Sequence, residues 1–168
     1  MVCQETRQYS WKLYRLRGLS SEMTSFNFKL LHQLLPVKAR LHRITPTTPA
    51  TCTLCSSSCP ETLEHALLSC EYNAGTGQAL IATLQRVLPS LTSEQQLLLQ
   101  FDDVTESQEL PLVFFSTSFL LEVLNRRIKK GRIGIYDIRS TLEARCSKLS
   151  ETRYQNSYVL LIELVKLL

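Results

Sequence analysis

Apolar residues recur along most of this chain at three- and four-residue spacing, which predicts helices rather than strands. From Glu5 to Arg17, Tyr9, Leu13 and Leu16 fall on one stripe with Trp11 and Tyr14 beside it. Gly18 stops that run. Ser20 is the expected N-cap of a second helix. Its wide apolar face comes from Phe26, Leu30 and Leu34, flanked by Phe28, Leu31 and Leu35, and Pro36 ends or kinks it. Val37 to Arg43 follows as a short helix with Lys38, Arg40 and Arg43 pointing largely outward. Further on, Gln78 to Leu88 forms a helix stopped by Pro89. Ser90 to Phe101 gives another, capped by Thr92 or Ser93, with Leu97 and Leu98 inward.

The longest candidate runs from Leu110 to Lys130, with Pro111 in its first turn. Val113, Phe114, Phe115, Phe119, Leu120, Leu121, Val123 and Leu124 make it apolar on most sides, as a central core helix would be. Tyr136 to Leu149 is amphipathic, and Thr152 to Leu168 is a last, strongly apolar helix. That helix is buried within the chain or covered by a protein partner. It is too short and too polar at its start to cross a bilayer, which takes about 20 apolar residues. The expected fold is all-α, an irregular multi-helix bundle with a small Cys3His insert in which Cys52, Cys55, His65 and Cys70 staple the chain around zinc. Its parts are N-terminal helices over 1–45, a metal-binding segment over 46–75 and a C-terminal helical region over 76–168. The first and last of these pack as one compact domain.

Helical periodicity breaks between residues 46 and 61, and the chemistry begins there. Thr45 to Thr51 is a Pro- and Thr-rich loop that leads into Cys52-Thr53-Leu54-Cys55. Glu61-Thr62-Leu63-Glu64-His65-Ala66-Leu67-Leu68-Ser69-Cys70 follows, with Thr62 to Leu68 as a short helix. As metal ligands the residues read Cys-x2-Cys-x9-His-x4-Cys. Two thiolates two residues apart grip one ion from a tight turn. His65 and Cys70 face back toward them, and three sulfurs with one imidazole fill a tetrahedral zinc shell. A full shell has no open position, so the zinc is structural. A redox Cys-x-x-Cys of the thioredoxin type needs a strand-to-helix entry, and this one is entered from a loop. Cys59 also precedes His65 and is an alternative to Cys52 or Cys55. Ser56-Ser57-Ser58-Cys59-Pro60 reads as a flexible loop, and Pro60 biases Cys59 toward extended backbone, which favours Cys52 and Cys55.

The order of these features resembles a known family. Phe28-Lys29-Leu30-Leu31-His32-Gln33-Leu34-Leu35-Pro36-Val37-Lys38-Ala39-Arg40-Leu41 leads into CTLC and then ETLEHALLSC. This is similar to the zinc-binding domain that follows the reverse transcriptase in non-LTR retrotransposon polyproteins. The likeness is close over residues 10–75 and loose beyond, where an apolar helix ending in Arg126-Arg127 resembles the family's downstream helix. It implies the nucleic-acid-handling tail of an element-encoded polymerase, helping to grip template RNA or target DNA. The polymerase and endonuclease regions are missing here, so the chain corresponds at most to that tail.

Composition narrows the classes. The chain has 168 residues, 44% hydrophobic and 20% charged. With mean hydropathy near zero, that is a globular protein with a real core rather than a disordered one. The net charge of +4 is uneven. Residues 1–50 carry +6, residues 51–120 carry −7 and residues 121–168 carry +5. The two basic segments supply candidate phosphate contacts: Lys38, Arg40 and Arg43, and Arg126, Arg127, Lys129, Lys130 and Arg132. Bases at a helix end are also favoured by the helix dipole alone, by roughly 0.3–1 kcal/mol each. Six cysteines without a secretory leader at the start point to a reducing compartment, nucleus or cytoplasm.

No Ser/His/Asp set, P-loop or glycine-rich phosphate loop is present, so a stand-alone enzyme is not expected. Phe101-Asp102-Asp103 lacks the spacer of a polymerase metal site and reads as an acidic loop. Three readings stay open: a nucleic-acid-binding zinc domain, a helical protein-interaction module and an inactive retroelement relic.

Overall fold

The computed structural model describes residues 16, 18–73, 75–92, 99, 101, 104–131, 133–150 and 155–168. Among them are six α-helices, which we label α1 (Ser21–Leu31), α2 (Lys38–Ile44), α3 (Thr76–Gln85), α4 (Glu106–Ile128), α5 (Ile135–Ser150) and α6 (Gln155–Leu167). A π-helical turn over His65–Ser69 and a 3₁₀ turn over Glu71–Asn73 lie between α2 and α3. The described residues hold no strand, only an isolated antiparallel bridge between Thr51 and Pro60. The fold is therefore all-α, as the periodicity predicts. The helix expected over 5–17 and most of the one expected over 90–101 lie outside the described residues.

α4 is the central element. Every residue from Pro111 to Leu120 is buried, so this helix is enclosed on all sides. Ser116, Thr117 and Ser118 are carried into the interior with the aromatics, and the Thr117 hydroxyl donates to Asn27 Oδ1 on α1 at 2.9 Å. Phe115 and Phe119 pack along it as a tilted pair with ring centroids 6.5 Å apart. Fully burying a side chain of this kind contributes about 1.5–3 kcal/mol. One apolar core runs from Met23 on α1 through Leu67 and Leu68 of the π turn to Val165 on α6. The strongly apolar α6 turns Leu161, Leu164 and Val165 inward and packs on α4 and α5, so its main apolar face is covered within the chain. Val159 and Leu167 remain exposed.

Several boundaries differ from the sequence reading. α1 is capped by the Ser20 hydroxyl, which accepts the Met23 N–H at 3.2 Å, as expected. It ends at Leu31, well before Pro36. Gln33 takes left-handed backbone (φ 53°), and the N–H groups of Gln33 and Leu34 close onto the carbonyls of Leu30 and Lys29. α3 starts at Thr76 and stops at Gln85, and Arg86 and Val87 form a turn before the expected end at Leu88. α4 begins about one turn earlier than Leu110. Thr105 and Gln108 form a reciprocal capping box there, in which each side chain bonds the other's backbone.

Candidate metal centre

The segment between α2 and α3 is built around a knuckle. The Cys52 N–H donates to the Cys59 carbonyl at 2.8 Å, and the Glu61 N–H donates to the Ala50 carbonyl at 2.9 Å. This paired loop leaves the Leu54 N–H pointing at Cys52 Sγ at 3.4 Å. Thr62 Oγ1 accepts the His65 N–H at 3.1 Å and starts the helical turn that follows. That turn is π rather than α, and the Cys70 N–H reaches back five residues to the His65 carbonyl at 2.9 Å. The widening has a geometric use. Residues five apart on an α-helix lie about 140° apart around the axis. The five-residue closure instead brings Cys70 beneath His65, so both side chains meet the knuckle.

Among the described residues, the ligand atoms of Cys52, Cys55, His65 and Cys70 come within 4.8 Å of one another. Cys52 Sγ lies 3.9 Å from Cys70 Sγ, and Cys55 Sγ lies 3.5 Å from His65 Nε2. A tetrahedron with Zn–S near 2.3 Å and Zn–N near 2.0–2.1 Å has edges of about 3.8 Å between sulfurs and about 3.6 Å from sulfur to nitrogen. The donor set and its spacing thus fit zinc. Cys52 and Cys70 are buried, while Cys55 and His65 are half-exposed. Cys59 does not join the group of four. It sits beside the imidazole, with Sγ 3.2 Å from His65 Nδ1.

The thiols are held unequally. Burial pushes Cys52 up, but bonds from the Leu54 N–H, His65, the Cys55 N–H and Arg127 bring it below its ordinary value. The Ser57 hydroxyl is the main cause that lowers Cys55 to about 7. Burial raises Cys70, with Arg127 opposing.

Arg127 was not legible as part of this centre. The sequence reading makes it either a candidate phosphate contact or a base that only complements the helix end. The structure corrects this: Arg127 is buried, with its Nη2 3.0 Å from Glu61 Oε2 and 3.4 Å from Cys52 Sγ. Its Nη1 donates to Asn73 Oδ1 at 3.3 Å. Burial would lower its pKa, yet Cys70, Cys52 and Glu61 raise it, so the guanidinium stays charged. Glu61 has a second task. Its other oxygen accepts the Lys38 N–H at 3.2 Å, and its carbonyl accepts the Ala39 N–H, so it caps the start of α2. A carboxylate there also meets the positive end of the helix dipole.

The remaining basic candidates are scattered. Lys38 is half-buried and donates to Thr53 Oγ1 at 2.7 Å, and Arg40 donates to the Leu34 carbonyl at 3.0 Å. Arg126 bonds Glu122 at 2.7 Å and Asp137 at 3.4 Å. Arg43, Lys129 and Lys130 are exposed. Arg132 lies outside the described residues, as do Asp102 and Asp103 of the acidic loop. No helix of the described residues is long and apolar enough to cross a membrane.

Residues 2–76 match a family model described as zinc-binding in reverse transcriptase. No curated protein and no solved structure matches the chain. The Cys3His group lies inside the matched residues, so this part of the chain is similar to the zinc-binding domain of reverse transcriptases.

Proposed function

We propose that this chain is a non-catalytic, zinc-stabilised tail domain of a reverse transcriptase, and that it holds RNA or DNA through phosphate contacts. Zinc on Cys52, Cys55, His65 and Cys70 would have a full set of protein ligands, a structural rather than catalytic arrangement. The observation that carries the nucleic-acid reading is the meeting of the two basic segments at Glu61. The Lys38 backbone bonds one carboxylate oxygen and Arg127 bonds the other. Arg43 shares the short helix α2 with Lys38, and Lys129 and Lys130 follow Arg127 in sequence, so these exposed bases are the candidate phosphate contacts. Such contacts are sequence-independent and release counterions, so affinity falls steeply with salt.

The test is fluorescence anisotropy with labelled single- and double-stranded RNA and DNA across a salt series. The Arg43→Gln/Lys129→Gln/Lys130→Gln variant is expected to bind more weakly and with a flatter salt slope. The slope should drop by roughly 0.7 to 0.9 for each phosphate contact removed. Absence of binding to every probe at low salt refutes the reading and leaves the protein-interaction module.

A further inference from the structure

We propose that Arg127 is a positioning residue of the zinc centre, and that through it zinc binding is coupled to the packing of the C-terminal helices. The argument starts from charge. Three thiolates and one zinc ion carry a net −1, and the Glu61 carboxylate beside them adds another. Both Cys52 and Glu61 are largely withdrawn from water. Buried charge of one sign is costly unless a cation and hydrogen bonds meet it. Arg127 is 6% exposed and supplies both, with one nitrogen between Cys52 Sγ and Glu61 Oε2. Its fork is held from behind by Asn73, whose own Nδ2 donates to the Ala66 carbonyl inside the π turn at 2.9 Å. The guanidinium thus ties the knuckle, the π turn and the last turn of α4 together.

Arg127 comes from beyond the 2–76 segment that carries the four ligands. A second contact makes the same crossing, from the Tyr72 hydroxyl to the Gly131 carbonyl at 3.0 Å. The metal environment is therefore completed by the C-terminal region. Coupling of this kind is reciprocal: if α4 supports zinc, zinc supports the end of α4.

Two measurements on the full chain test this. The first compares the wild type with Arg127→Met and Arg127→Lys, by competition with a chromophoric zinc chelator and by the visible spectrum of the cobalt-substituted protein. Loss of an outer hydrogen-bonding partner typically lowers metal affinity by about 10- to 100-fold, and Arg127→Met should fall in that range. The lysine variant keeps the charge without the fork and should lie between. The cobalt spectrum of Arg127→Met should retain tetrahedral intensity, since its ligands are unchanged, while the sulfur-to-cobalt band shifts. Equal affinity with an unshifted band overturns the proposal and leaves Arg127 as a partner of Glu61 alone. The second measurement needs no variant. Hydrogen exchange of the wild type with and without zinc should show residues 125–128 losing protection on chelation. Unchanged protection there overturns the coupling even if Arg127→Met does not fold. A wild type that binds no zinc would instead refute the Cys3His reading on which the proposal rests.

Discussion

His65 stands between two thiols, and this decides which substitutions the centre survives. Cys55 Sγ lies 3.5 Å from Nε2, while Cys59 Sγ lies 3.2 Å from Nδ1. Cys59 Sγ also lies 3.5 Å from Nε2, so it rests against both ring nitrogens without joining the four ligand atoms. Metal analysis should therefore find one zinc per wild-type chain and none retained by His65→Ala. Cys59→Ser should keep its zinc, with an affinity loss of at most about 100-fold. Loss of metal from Cys59→Ser would make Cys59 the ligand in place of Cys52 or Cys55. The four donors were legible because ligand type and spacing are local. Arg127 was not, since its partners Glu61 and Cys52 lie 66 and 75 residues away in sequence. A basic run at a helix end looks the same whether it faces solvent or a buried carboxylate. Cys146 makes a separate prediction. It is fully buried, and burial with nearby Glu143 raises its thiol to about 11 from 9.0. Raised in the folded state, it favours the neutral form, so its contribution to stability is full below pH 9 and is lost as pH rises toward 11. Two units correspond to roughly 3 kcal/mol. Urea unfolding across that window should show a steeper loss for the wild type than for Cys146→Ala; equal slopes would refute the assignment.

Among the elements, the π turn depends on a residue outside it. α3 crosses the turn at Gly77, where an added Cβ would lie 2.0 Å from the Leu68 carbonyl oxygen and 2.4 Å from Leu68 Cα. Both obstacles are backbone, so no side-chain rotation relieves them. Gly77→Ala must push α3 away from residues 65–69, and those residues set the position of His65. We expect a loss of about 1–3 kcal/mol, the usual cost of overpacking, together with weaker zinc binding. Gly131→Ala is the control, because the nearest atom to its added Cβ is 3.9 Å away. If thermal melts and zinc competition place the two variants together, the close crossing is unimportant. The sequence shows Gly77 only as part of a turn-like Asn73-Ala74-Gly75-Thr76-Gly77 run, since close approach has no local signature. Helix ends were hard to read for a related reason. α1 and α4 close through Gln33 and Lys130 in left-handed backbone, where glycine is the usual signal. The start of α4 was legible but missed: Thr105-Glu106-Ser107-Gln108 is a capping-box pattern lying upstream of the apolar run.

At the scale of the molecule, two kinds of stabilisation lie side by side. α4, α5 and α6 pack on one another around Phe115, Phe119, Leu142, Leu161 and Leu164, and this apolar burial does not depend on metal. Residues 46–60 differ. Most of them are exposed, Ser56, Ser57 and Ser58 have no apolar surface to bury, and the hairpin is tied by few bonds. A segment of that kind takes its order from the metal, so the free energy of zinc binding is largely its folding free energy. Leu67 and Leu68 link the two regions, because they belong to the π turn and also to the main core. Chelation should therefore unfold the knuckle while leaving most of the helical circular dichroism in place. The thermal midpoint should fall as well, since whatever binds only the folded state stabilises it by mass action. Hydrogen exchange should resolve the order of loss. Protection should vanish first over residues 50–61, then weaken over 65–70 and at the end of α4, and persist over 112–124. Collapse of the whole helical signal on chelation would show that zinc nucleates the entire fold. Unaltered exchange over 50–61 would show that the knuckle holds its shape without metal.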